Sequence, residues 1–186
     1  QGKAAASVKE EDLIQNLYVL SSHMQILCFT TKGKVFWLKV YEIPVASRTS
    51  KGRPLVNMLN LDDDESVSEI LPVGEFSDEK CIFMATRNGT TKKTNLSLFS
   101  KKYKSGIKAI NLDDDDKLVG TAITSGDDEI LLASSSGKLI RFNESHVRPM
   151  GRTARGVRGL RLKKDEKLIS LMVGDPEKTI LCVSEN

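Results

Sequence analysis

The side chains with the most visible chemical potential are lysines and arginines that gather in three places. Residues 87–108 hold seven Lys/Arg and no Asp or Glu, and residues 137–164 hold nine with one acid, Glu144. Residues 47–53 hold three and no acid. Such side chains present N–H donors to phosphate oxygens in charge-assisted hydrogen bonds. The candidates are Arg48, Lys51 and Arg53 in the short cluster. Lys101, Lys102, Lys104 and Lys108 follow in the second, and Arg148, Arg152, Arg155 and Arg158 in the third. Ser47, Thr49, Ser105 and Thr153 could add neutral donors. One such run is ordinarily a solvated face; three at matching places describe a band. Little aromatic content sits in the basic loops, Tyr103 being the exception, which argues against base stacking on a single strand. A duplex held through its phosphates is the better match.

Other chemistries lack their parts. Cys28, Cys81 and Cys182 each sit inside an apolar run and read as buried thiols, not as a disulfide or zinc set. His23 and His146 have no ligand partner nearby in sequence and read as loop residues. No phosphate-binding glycine loop is present. Ser and Thr have no evident catalytic partners, so no catalytic residue and no metal site is expected. No early stretch has the form of a signal peptide, and no apolar run approaches the ~18 residues of a membrane span. An independent enzyme therefore has no support.

The positions of the basic clusters follow from internal repetition. Ile-Leu-Cys-Phe-Thr-Thr-Lys-Gly at 26–33 returns as Ile-Phe-Met-Ala-Thr-Arg-Asn-Gly at 82–89 and Ile-Leu-Leu-Ala-Ser-Ser-Ser-Gly at 130–137. Ile-Leu-Cys-Val-Ser-Glu-Asn at 180–186 starts a fourth. Each reads as a strand entering a tight turn closed by glycine (Gly33, Gly89, Gly137), with a second alternating strand after it. A second glycine follows 19, 17 and 19 residues later, at Gly52, Gly106 and Gly156. Then come an apolar stretch, a charged turn at 62–65, 113–116 or 163–166, and a further strand. The stretch 12–19 fits that last slot. The expected repeats are 1–25 as the end of one blade, 26–79, 80–128 and 129–178 as full blades, and 179–186 as the start of another. Units of ~40–50 residues built from four short strands are propeller blades. The fold class is thus all-β, a partial array of about three full blades with parts of two more, cut from a longer one. With 28 Lys/Arg against 25 Asp/Glu the net charge is only +3. The near-balance is read as basic rim loops offset by acidic turns elsewhere.

Three segments resemble the C-terminal domain of the DNA gyrase A subunit: 34–57 with its Tyr-Glu-Ile-Pro, 83–94, and 147–159 with Met-Gly-Arg-Thr-Ala-Arg-Gly. The likeness runs over essentially the whole chain and is closer to gyrase than to the paralogue in topoisomerase IV. It implies a β-pinwheel whose blades exchange strands and a basic rim around which duplex DNA wraps. It implies a role within an A2B2 assembly, beside the rest of the A subunit. The gyrase B subunit would complete that assembly, which supercoils DNA negatively in the bacterial cytoplasm, on the nucleoid. Covalent chemistry, ATP and Mg2+ would act elsewhere in that enzyme, with no cofactor and no membrane partner here. The family's Gln-Arg-Arg-Gly-Gly-x-Gly box is matched only at its last two positions, by Gln1 and Gly2, so this stretch of chain is expected to bind DNA but wrap it poorly. The alternatives are the equivalent topoisomerase IV domain, or a propeller scaffold that binds protein only.

Overall fold

The computed structural model describes residues 16–47, 50 and 52–180. Three hairpins form as the repeats predict: β1 (Gln25–Thr30) with β2 (Lys34–Lys39), β4 (Cys81–Thr86) with β5 (Thr90–Asn95), and β8 (Glu129–Ser134) with β9 (Leu139–Asn143). Gly33, Gly89 and Gly137 turn them with φ of +72°, +87° and +77°, a region that costs most other residues about 1–2 kcal/mol. A third strand, β3 (Val67–Val73), β7 (Leu118–Thr124) or β11 (Leu168–Val173), pairs on the other side of each first strand. Each of these third pairings slips register near the hairpin turn, the local twist of a bulge.

The fourth strand is borrowed. β6 (Ile107–Lys108) leaves the second repeat and pairs with β2 of the first, and β10 (Val157–Arg158) leaves the third and pairs with β5 of the second. The sheet orders are β3-β1-β2-β6, β7-β4-β5-β10 and β11-β8-β9. Linear repeats and sheets therefore do not coincide, since each four-stranded sheet draws on two repeats. Strands β3, β7 and β11 lie against one another, and β6 and β10 form the opposite edge of their sheets.

Stacking explains why the first strand of each hairpin is apolar without a break. Leu27 and Phe29 face Ile82 and Met84 in one core, while Phe83 and Ala85 face Ile130 and Leu132 in the next. Ile26 and Cys28 line a third cluster with Phe36 and Leu38. The period of two assigns alternate residues of one strand to different neighbours. Cys28 and Cys81 are buried free thiols, whereas His23 and His146 are exposed. The strand expected at 12–19 is corrected in part. Residues 16–19 form no strand and are exposed, their link to the sheet being the Tyr18 hydroxyl that donates to Ile70 O at 3.3 Å, and 12–15 lie outside the described residues. Of the strand expected to open a fourth repeat, only Ile180 is described. Among the described residues no helix is long and apolar enough to cross a membrane.

Candidate nucleic-acid interface

The two crossing segments are built alike. In the first, Ala109 N and Ile110 N donate to Gly33 O at 2.8 and 3.2 Å; in the second, Gly159 N and Leu160 N donate to Gly89 O at 2.9 and 3.1 Å. Gly106 (φ +68°) lets the chain pass 2.7 Å from the Phe36 ring at the site of its missing Cβ, and Gly156 (φ +104°) passes comparably close to Thr91 O. Ile107 pairs with Val35 and Lys108 with Lys34, just as Val157 pairs with Thr91 and Arg158 with Thr90. Lys108 and Arg158 thus occupy the same register on successive outer edges.

Most of the sequence candidates ride on these crossings. Lys101, Lys102, Lys104 and Lys108 are exposed on the first; Arg148, Arg155 and Arg158 are exposed on the second, where Arg152 is half-buried. Ser105 and Thr153 are exposed beside them. Arg53 is exposed before the 3₁₀ turn Leu55–Met58. Gly52 faces open space where its counterparts Gly106 and Gly156 meet a neighbour. Arg48, Lys51 and Thr49, and Gln1 and Gly2 of the box, lie outside the described residues.

Two readings of charge need correction. The run at 87–108 is not all rim. Lys92 and Lys93 are buried, because β5 is covered on both faces and on both edges. Lys92 Nζ donates to Ala109 O at 2.6 Å and to Arg152 O, tying together the two crossings. Burial, and then the nearby Arg152 guanidinium, lower its pKa to about 8. Lys93 pairs with buried Glu144 at 3.4 Å and donates to Glu144 O at 3.0 Å. Glu144 also accepts from Thr124 Oγ1, Gly126 N and Asp128 N.

Nor are acids and bases fully separated. The acidic turns fold over the hairpin turns of their own blades. Lys32 and Lys34 pair with Asp62, Asp64 and Glu65, and Lys138 pairs with Glu166 at 3.2 Å. Hydrogen bonds from Lys163 N, Ser134 and Ser136 hold the Glu166 carboxyl down at about 2. Arg155, one of the candidate phosphate contacts, pairs with Asp113 at 3.1 Å. The two meet where the second crossing segment returns toward the acidic turn of the second blade.

Sequence reading missed a further group. Lys39 ends β2 and Tyr41 lies in the 3₁₀ turn Val40–Glu42; the first crossing brings Lys102 beside Lys39 and Tyr103 against Trp37, ring centroids 6.2 Å apart. The members of these pairs are far apart along the chain, so only the exchanged strand could reveal them. Among the described residues no cluster of three or more His, Cys, Asp or Glu could hold a metal ion.

Residues 25–73, 82–125 and 128–175 match the family described as the DNA gyrase C-terminal domain, beta-propeller. The chain is 50% identical over all its residues to the A subunit of DNA gyrase from Salmonella typhimurium and 48% identical to that from Escherichia coli. It spans 21% of the length of each of these relatives. Among solved structures, the C-terminal domain of a DNA topoisomerase IV superposes with a TM-score of 0.84 at 28% identity, over 93% of this chain and 54% of the other. A DNA gyrase A C-terminal domain superposes with a TM-score of 0.68 at 23% identity, over 83% of this chain and 49% of the other, a likeness of fold.

Proposed function

The chain belongs to the DNA gyrase C-terminal domain family, and from that premise we propose that it grips duplex DNA along the outer edges of its blades. The observation that carries the reading is the repeated placement of exposed cations on exchanged strands, with Lys108 and Arg158 in one register. Lys101, Lys102 and Lys104 flank the first of these positions, and Arg148, Arg152 and Arg155 the second. Arg53, Arg48 and Lys51 would extend the band from the first repeat. Cations repeated on successive blade edges suit a polyanion that follows those edges, and ionic contacts would offset the elastic cost of bending it.

Within the whole enzyme this grip would present DNA to a gate formed by other parts of the gyrase A chain, in an A2B2 assembly with the B chain. ATP and Mg2+ would act there, in the bacterial cytoplasm and on the nucleoid. The sequence relatives named above favour the gyrase form of the domain over its topoisomerase IV counterpart.

Fluorescence anisotropy with a duplex at two salt concentrations tests the proposal. Binding that weakens steeply with salt is expected, and single Lys or Arg losses on the crossings should each reduce the slope by about 0.9. Absence of binding at low salt would overturn it and leave a protein-binding scaffold.

A further inference from the structure

Cations crowd together at one place on the outer edge with little acid to balance them. Lys39 closes β2, and its Nζ donates to the Tyr41 hydroxyl and lies 4.9 Å from that ring's centroid. Lys102 arrives on the first crossing segment, where burial and then Lys39 push its pKa down, while the bond to the Tyr41 hydroxyl holds Lys39 itself up. Glu42 is the nearby acid, and its carboxylate is engaged by Lys39 N at 3.2 Å. Lys101 and Lys104 flank Lys102, and Tyr103 adds a second exposed phenol.

The crossing segment is not free to relieve this crowding. Trp37 Nε1 donates to Phe99 O at 2.7 Å, and the Trp37 ring packs on Tyr103. Phe99 is buried edge-on against Phe29 at 6.0 Å. The residues on either side of Lys102 are therefore fixed to the first blade. The second blade lacks the arrangement, because Asn95 and Ser97 stand where Lys39 and Tyr41 stand in the first.

We propose that Lys39 and Lys102, with the hydroxyls of Tyr41 and Tyr103, form a clamp for one DNA phosphate, specific to the first blade. This rests on the DNA-binding reading above and adds a residue, Lys39, from outside the basic runs. Lys39 lies two residues along β2 from Trp37, and Lys102 precedes the Tyr103 that packs on Trp37; a phosphate oxygen shared by two ammonium groups so placed removes their mutual repulsion. The Tyr41 hydroxyl accepts from Lys39 and so keeps its own O–H free to donate to the anion, and Tyr103 adds a second exposed phenol on the crossing segment.

The test is a double-mutant cycle on the chain, read by anisotropy with duplex DNA across a salt series. The variants are Lys39→Gln, Lys102→Gln and the pair. If both grip one phosphate, each single variant should lose most of what the pair loses. The salt slope of the pair should then fall by about 0.9, the value for one phosphate and not two. Lys39→Arg with Lys102→Arg should restore the slope. Strictly additive losses, or affinity unchanged in the pair, would overturn the clamp. A parent chain that fails to bind overturns the DNA-binding reading and the clamp with it; a parent that binds alongside an unaffected pair overturns the clamp alone. Melting followed by Trp37 fluorescence checks that these exposed substitutions leave the fold intact.

Discussion

The junction between the first and second blades and the junction between the second and third share a backbone and differ in chemistry. Leu118 N donates to Thr31 O at one, and Leu168 N to Arg87 O at the other. The crossings dock on Gly33 and Gly89 in the same way. Yet the position held by Trp37 in the first hairpin is held by Lys93 in the second, and Phe36 is replaced by Lys92. Trp37 secures the 3₁₀ turn Leu96–Phe99 through an indole N–H, whereas Lys93 secures the turn Glu144–His146 through an ion pair. Main-chain geometry thus carries the exchange, and either an aromatic or an ionic side chain can pin it. The two solutions should respond very differently to substitution.

The largest effect is expected at the ionic junction. Glu144→Ala would leave Lys93 as a buried cation without its carboxylate, and Gly126 N and Asp128 N without their acceptor. Losing one partner of a buried pair costs about 3–5 kcal/mol, and urea unfolding should show a drop of that size. A loss below about 1 kcal/mol would mean that the pair contributes no more than an exposed one.

The hairpin glycines sharpen the contrast between a docked turn and an undocked one. A Cβ at Gly89 would sit 2.5 Å from Leu160 O, while one at Gly137 meets nothing within 4 Å. Gly137→Ala pays only for its positive φ, about 1–2 kcal/mol. Gly89→Ala must in addition displace the crossing segment. Its melting temperature should fall further, and its DNA affinity should fall with it. Equal losses at the two sites would show that the docked strand adds no constraint.

The hairpins and the three third strands after them were legible in the sequence, since period-two patterning and turn glycines are local signals. The crossings were not legible from patterning. β6 and β10 are two residues each and too short to show alternation, so only family resemblance anticipated them. Burial of Lys92 and Lys93 was also hidden, because Thr-Thr-Lys-Lys-Thr-Asn is polar on both faces and reads as an exposed strand. Four of those six residues are buried because blades cover β5 from either side while β4 and β10 flank it. The clamp at Lys39 was invisible for a related reason, since its members meet only when one repeat invades another.

At the aromatic junction a smaller effect is expected. Trp37→Phe keeps most of the ring contact with Tyr103 but removes the donor to Phe99 O. One hydrogen bond at a half-buried site is worth about 1 kcal/mol. Unfolding should register that loss, and the salt slope of DNA binding should shift toward that of Lys102→Gln as the crossing loosens. A stability loss that leaves the slope untouched would separate the tether from the clamp.

Lys92 should show the smallest effect at neutral pH. Its slot holds Phe36 in the first hairpin and Ile140 in the third, so an apolar side chain fits it. Lys92→Met forfeits the bonds to Ala109 O and Arg152 O, but it also ends the desolvation of an ammonium group beside a guanidinium. These terms oppose each other, and replacing a buried charge by an apolar side chain is often near neutral. The difference emerges in alkali. The folded pKa of about 8 lies below the ordinary lysine value, so between the two the unfolded chain binds more protons than the folded one. Stability from this group therefore rises with pH across that window. A neutral amine also has two N–H donors, which match its two carbonyl acceptors. Urea unfolding at about pH 7 and about pH 9.5 should show the parent gaining on the Met variant. Parallel behaviour at both pH values would mean that Lys92 stays charged in the fold and that its two carbonyls suffice to solvate it.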